Sequence, residues 1–212
     1  MAEIIVAFLN KIIPNGFVTT VLVAAFPLIE LKGAIPIGLK ANLKLWQAFL
    51  LAYIGSTLIS IPLFFLLKPV FRLLKKIKPL KKLIVKIENV FYNKAQKLAS
   101  DANAKNNGAK QINAERVLRN CLLAFVAVPF PVTGVWTGTA IAAFLNLKFK
   151  DSLFAIVIGN LIAGSIITVL TFFFKSYVDL IIDILLIIAI IMLIILIVKI
   201  ARSSSEEKGE EG

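Results

Sequence analysis

The chain contains no histidine and only one cysteine, Cys121, in 212 residues. Without histidine it lacks the usual general base near neutral pH and the commonest metal ligand. With one cysteine it cannot close an intrachain disulfide. The sequence also shows no catalytic triad, no metal-ligand spacing and no phosphate-binding glycine loop. We therefore expect no enzyme activity, no metal and no other cofactor.

Acidic residues are scarce as well, with 12 Asp and Glu against 24 Lys and Arg, a formal net charge of +12. In a soluble protein such an excess would suggest a nucleic-acid partner. Here the basic residues lie between apolar runs, and 59% of all residues are apolar, against about 45 to 50% in soluble domains. We predict an integral membrane protein with lipid partners and no nucleic acid, and we leave homo-oligomerisation open.

Three apolar runs are long enough to cross a bilayer. Residues 45–67 and 152–174 contain no formal charge, and residues 180–198 are interrupted only by Asp183. A helix rises about 1.5 Å per residue, and the hydrocarbon core is about 30 Å thick. We predict transmembrane helices over residues 45–67, 152–174 and 177–200.

The chain resembles itself at an offset of 104 residues. The offset aligns Phe26 with Phe130, Pro27 with Pro131, Asn-Leu-Lys at 42–44 with 146–148, and Ile-Gly at 54–55 with 158–159. These matches share their landmarks, which are a proline-broken apolar segment, a polar elbow and a long apolar run. We predict a duplicated unit, with repeat 1 over residues 17–70 and repeat 2 over 117–174.

The first apolar part of each unit is too short for a simple span. We predict re-entrant hairpins over residues 17–40 and 117–147, because broken backbone at membrane depth needs protein or a water-filled cavity around it. Fully spanning hairpins stay open as the alternative. The residues predicted to break the hairpins are Pro27, Gly33, Pro36 and Gly38 in repeat 1, and Pro129, Pro131, Gly134 and Gly138 in repeat 2.

Residues 68–119 hold 14 Lys and Arg against three acids. The positive-inside rule therefore places the connector, residues 71–116, in the cytoplasm together with the C-terminus, and part of it has the pattern of an amphipathic helix. The two units then face opposite ways, as inverted repeats. We further predict an apolar or interfacial helix over residues 1–16, no cleaved signal peptide, and a disordered tail over 203–212.

Glu30 is the first candidate for a functional group. An ionised carboxylate in hydrocarbon costs about 2.5 to 3.5 kcal/mol on insertion scales, so Glu30 should face a cavity, pair or take up a proton. The alternative is a local ion pair with Lys32. The other candidates for substrate or proton coupling are Lys32, Asn160 and Asp183. Candidates for lipid head-group contact are Arg116, Arg119 and Trp136, although helix packing or topology would also explain several of these residues.

The segments FPLIELKGAIPIG at 26–38 and PFPVTGVWTGTAIA at 129–142 resemble the two signature segments of the small multidrug export protein family. The more specific pattern is Glu-x-basic-Gly-Ala-Ile-Pro. Lys32 departs from it, because Arg is the more usual basic residue, and this weakens any anion-clamp role. The family is similar to the DedA membrane proteins, for which paired re-entrant hairpins and flipping of polyprenyl-phosphate lipids are proposed.

Together these features predict an all-α polytopic membrane protein built from two inverted repeats, each a re-entrant hairpin plus a transmembrane helix, with an extra C-terminal helix. The expected function is proton-coupled export of a small molecule across the cell membrane by alternating access. The alternatives are a lipid flippase or scramblase and a membrane scaffold that transports nothing.

Overall fold

A computed structural model describes residues 15–27, 29–105, 112–130 and 133–174, together with eight isolated residues between 183 and 195. These residues form helices and no β-strand, which confirms the all-α prediction. The helices are α1 (Gly16–Ala25), α2 (Glu30–Lys40), α3 (Leu45–Leu74), α4 (Lys78–Lys105), α5 (Ala114–Ala127), α6 (Val135–Phe144) and α7 (Phe149–Phe173). The predicted segments 1–14 and 203–212, and most of 177–200, lie outside the described residues.

Two of the described helices, α3 with 30 residues and α7 with 25, are long and apolar enough to cross a membrane. Both begin close to the predicted positions. Helix α3 continues through Pro62 and Pro69 to Leu74, beyond the predicted end at residue 67. Its last two turns therefore carry two basic residues, Lys68 and Arg72, whose long side chains can reach out of an apolar layer.

Helices α3 and α7 run antiparallel. Three contacts, in order along α3, fix this direction: Phe49 with Gly164, Ser56 with Asn160, and Phe64 with Phe149. Residue numbers rise along one helix while they fall along the other, so α3 and α7 point in opposite directions.

The elbow before each long helix is the same turn twice. Asn42 and Asn146, 104 residues apart, both have a positive φ, of 62° and 52°. The amide of Leu43 donates to the Gly38 carbonyl at 3.1 Å, and the amide of Leu147 donates to the Ala142 carbonyl at 3.0 Å. This is the Schellman ending of a helix, in which asparagine tolerates the left-handed conformation.

The helix breaks differ from the predicted positions. They fall between Ala25 and Glu30 and between Ala127 and Val135, so Gly33, Pro36 and Gly38 lie inside α2, and Gly138 lies inside α6. All nine residues from Glu30 to Gly38 are buried. Tertiary packing thus outweighs the helix-breaking tendency of proline and glycine. Pro27, Pro129 and Gly134 do lie in the breaks, and Pro131 lies outside the described residues.

The connector forms α4, which packs on α5. Only part of its predicted apolar face is covered, because Ile84 is buried whereas Ile87 and Phe91 are exposed. Lys75 pairs with Glu88 at 2.6 Å and joins the end of α3 to α4.

Helices α1 and α5 approach α3 and α7 through glycines at equivalent positions. A methyl group on Gly55 would overlap the Val21 carbonyl, and one on Gly159 would lie 2.7 Å from the Leu123 carbonyl oxygen. Both obstacles are backbone atoms, which cannot rotate away. Small residues at helix crossings allow such close packing in membranes.

We expect Gly55→Ala and Gly159→Ala each to destabilise the protein by about 1 to 3 kcal/mol, because the added methyl group forces the backbones apart. Thermal denaturation of the purified protein in detergent measures this loss. Ser165→Ala on the exposed face of α7 is the control and should leave the midpoint unchanged. If the variants at Gly55 and Gly159 had the same melting midpoint as the control, the close helix crossings at these glycines would be contradicted.

Candidate functional site: the contact between the two helix breaks

The first break contacts the second through Glu30. The backbone amide of Trp136, in the first turn of α6, donates to Glu30 Oε1 at 2.9 Å. Gly134, the residue before α6, supplies no side chain that could cap the helix. Because helix N-termini favour negative charge, the Glu30 carboxylate acts as the cap of a helix in the other unit.

Lys32, on the same helix as Glu30, makes a second contact with the second break. Its Nζ donates to the Phe130 carbonyl at 2.6 Å and also to the Thr133 carbonyl, both in the second break. It lies 3.5 Å from Glu30 Oε2, so the two residues form an ion pair. Backbone groups that the break leaves without helical partners are thus satisfied by the opposite unit.

Trp136 adds a further bond between the units. Its indole Nε1 donates to the Ala25 carbonyl at 3.0 Å, at the C-terminal end of α1. The predicted contact of Trp136 with lipid head groups stays untested, and the structure uses its only side-chain donor inside the protein.

The charges at this contact are almost fully buried, with Glu30 7% and Lys32 5% exposed. Removing one partner of a buried ion pair leaves an uncompensated charge and costs about 3 to 5 kcal/mol. The N-terminus of α6, where an anion could bind, is occupied by the chain's own carboxylate. Among the described residues, no cluster of His, Cys, Asp or Glu could hold a metal ion.

Glu30 and Gly134 are equivalent positions, 104 residues apart, and they touch each other. Both have a positive φ, of 48° and 142°. A non-glycine residue in such a conformation is strained by about 1 to 3 kcal/mol and persists only where its surroundings hold it. A methyl group on Gly134 would overlap the Glu30 carboxylate. The contact therefore has room for a side chain at only one of the two equivalent positions.

A cavity of about 310 Å³ opens beside this contact, between α3 and α6. Glu30 and Thr137 supply its polar groups, and the rest of its wall is mainly apolar. The lining residues are Pro27, Glu30, Leu63, Leu67, Trp136, Thr137 and Ala140. An apolar wall with one carboxylate suits a small apolar or cationic compound.

Asn160 lies elsewhere, in the crossing of α3 and α7. Its Nδ2 donates to Ser56 Oγ at 2.8 Å and Thr57 Oγ1 at 2.9 Å. It does not line the cavity. Asp183 is a half-buried helical residue with an interaction of its own, and it is not among the described contacts of Glu30.

The two arginines proposed for head-group contact lie on α5. Arg119 pairs with Asp151 at 3.5 Å and stands 5.3 Å from the ring centroid of Phe154. The backbone amide of Arg116 donates to the Asn113 side chain at the start of α5. Their roles toward lipid stay predictions.

Several residues of the site could not be identified from the sequence. Phe130 and Thr133 contribute backbone carbonyls, which every residue possesses, and Leu63 and Leu67 are two leucines among many in α3. One signal was available. The 104-residue offset aligns Glu30 with Gly134 and Ser56 with Asn160, and in both pairs the equivalent residues meet.

We expect Gly134→Ala to destabilise the protein by at least about 2 kcal/mol, through backbone strain and overlap with Glu30. Ser165→Ala, on the exposed face of α7 and away from this contact, is the control and should leave the midpoint unchanged. Thermal denaturation in detergent measures both. The double variant Glu30→Ala/Gly134→Ala should lose less stability than the two single variants lose in sum, because the overlap is absent without the Glu30 carboxylate. If Gly134→Ala melted at the same temperature as Ser165→Ala, this geometry would be contradicted.

We expect Asn160→Ala to cost about 0.6 to 1.7 kcal/mol, the range measured for hydrogen bonds between membrane helices. A double-mutant cycle with Ser56→Ala isolates the bond, since both single variants remove it. A coupling energy of zero would show that the contact contributes nothing to stability.

Neither a curated protein nor a solved structure matches the chain. The sequence model of one family, described as "Putative small multi-drug export protein", matches residues 30–166. This match begins at Glu30, includes α2 to α6 and most of α7, and covers more than half of the chain. The chain therefore belongs to the small multi-drug export protein family.

Proposed function

We propose that this chain exports small, mainly apolar compounds across a membrane, and that they bind in the cavity beside Glu30. Family membership supports export, and two membrane-length helices support a place in the membrane. The volume of about 310 Å³ falls at the lower end of ligand pockets, about 300 to 1,000 Å³. One observation carries the proposal: Glu30 lines the cavity and also joins the two units.

The two units act as inverted repeats with re-entrant hairpins. Helices α1, α2 and α6 have 10, 11 and 10 residues, which is about 15 to 17 Å of helix at 1.5 Å per residue, half of a bilayer core. The antiparallel course of α3 and α7 supports hairpins that enter from opposite sides. The basic connector then lies in the cytoplasm.

Protonation of Glu30 is the coupling step. A proton from water in the cavity binds a carboxylate oxygen and removes its negative charge. The attraction to Lys32 and to the N-terminus of α6 then weakens, since both depend on that charge. The units can separate on one side, and loss of the proton on the other side restores the contact. Alternating access follows from this cycle.

We expect Glu30→Gln to reduce proton-gradient-driven ethidium transport in proteoliposomes at least about tenfold, equivalent to about 1.4 kcal/mol. Glutamine keeps the size and accepts the Trp136 hydrogen bond but cannot exchange a proton. Glu115→Gln is the control, because Glu115 pairs with the exposed Lys148 at 2.7 Å, away from the cavity. If Glu30→Gln kept the full proton-gradient-driven transport, the proposed coupling role of Glu30 would be refuted.

Lipid movement is the rival activity, supported by the basic residues that follow the cavity along α3. The same proteoliposomes distinguish the two. Head-group-labelled lipid that moves equally with and without a pH gradient, while ethidium stays in place, would favour a scramblase.

A further inference from the structure

A second cavity, of about 180 Å³, lies between the end of α3 and the turn after α6. Its wall is mainly cationic and polar. The lining residues are Lys68, Phe71, Arg72, Lys75, Ala143 and Asn146. It shares no lining residue with the cavity beside Glu30.

The cations of this basic cavity lie on one face of α3. Lys68, Arg72 and Lys75 are spaced four and three residues apart, which stacks them on neighbouring turns. Glu88 neutralises Lys75 at 2.6 Å. Lys68 lies 5.3 Å from the centroid of the Phe64 ring, and no described carboxylate pairs with Lys68 or Arg72. Two uncompensated positive charges at one concave site attract an anion.

The basic cavity and the apolar cavity follow one another along the seam between α3 and α6. On α6 and its turn, Thr137 and Ala140 border the first cavity, and Ala143 and Asn146 border the second. The step of six residues from Thr137 to Ala143 corresponds to about 9 Å of helix. A ligand with an anionic head and a hydrocarbon body matches this order.

The outer face of α3 beside the basic cavity is apolar. Leu66 is 63% and Leu73 57% exposed. In a protein with membrane-length helices such a face suits acyl chains. The cations therefore stand where the head group of a lipid in the adjacent leaflet meets the protein.

We propose that this cavity binds the phosphate group of an anionic phospholipid. The Arg72 guanidinium offers a planar fork of donors to two phosphate oxygens, and the Lys68 ammonium adds a point charge. The Asn146 side-chain amide, on the turn with positive φ, is a further donor at the rim. Glu30 takes no part, so the site stands whether or not the chain exports compounds.

Native mass spectrometry of the protein in a neutral detergent tests this site. The probes are dioleoyl-phosphatidylglycerol and dioleoyl-phosphatidylcholine, which share their acyl chains and differ in net charge. We expect phosphatidylglycerol to bind more tightly, and Arg72→Gln to raise its dissociation constant at least about tenfold, the effect of losing a charged hydrogen bond. Lys76→Gln removes one positive charge from a neighbouring exposed residue outside the cavity. This variant should change the dissociation constant for phosphatidylglycerol less than about twofold.

Inorganic phosphate is the second arm. If millimolar phosphate displaces the lipid from the wild type but not from Arg72→Gln, the site recognises phosphate from either source. If it does not compete, the hydrocarbon body is needed and the ligand is the lipid. If Arg72→Gln fails to fold, Lys68→Gln repeats the test, provided that its melting midpoint equals that of the wild type. Equal weakening by Lys76→Gln, or equal binding of both lipids, would overturn the proposal.

Discussion

The ion pair of Glu30 and Lys32 is the interaction on which the arrangement of the two units depends. Each charge reaches past its own unit, the carboxylate to the amide of Trp136 and the ammonium to the carbonyls of Phe130 and Thr133. Buried helix ends leave polar backbone groups that lipid cannot satisfy. Here the side chains of Glu30 and Lys32 satisfy backbone groups of the second break, so the second break depends on α2.

This dependence makes the predicted 104-residue repeat asymmetric at its centre. Glu30 and Gly134 occupy equivalent positions and meet, so a side chain on one requires its absence on the other. A second carboxylate there would also face the first at close range, which disfavours the ionisation of both. The elbows at Asn42 and Asn146 meet no such constraint and kept the same turn. The predicted repeat is therefore easiest to recognise at the elbows and hardest to recognise where Glu30 meets Gly134.

The sequence predicted best what depends on composition over many residues. Helices α3 and α7 follow from length and hydropathy, and Glu30 and Lys32 attract notice because charge is costly in an apolar segment. Pro27, Pro129 and Gly134 lie in the breaks as predicted, whereas Gly33 and Pro36, which tend to break an isolated helix, lie inside α2. In the folded chain both residues are buried, and tertiary packing outweighs their intrinsic tendency. The partners of Lys32 could not be predicted, since a backbone carbonyl has no residue type.

The two cavities along the seam between α3 and α6 differ in charge. Near the start of α6 an apolar cavity contains a carboxylate whose charge is balanced by Lys32, and near its end the basic cavity contains cations that Glu88 balances only in part. A neutral compound gains from the first cavity alone, whereas an anionic amphiphile gains from both if its chain lies toward Leu67. A lipid held in the basic cavity would then border the cavity beside Glu30, where we propose that the exported compound binds. Its affinity and that of the transported compound would be linked, because each would alter the seam that the other uses.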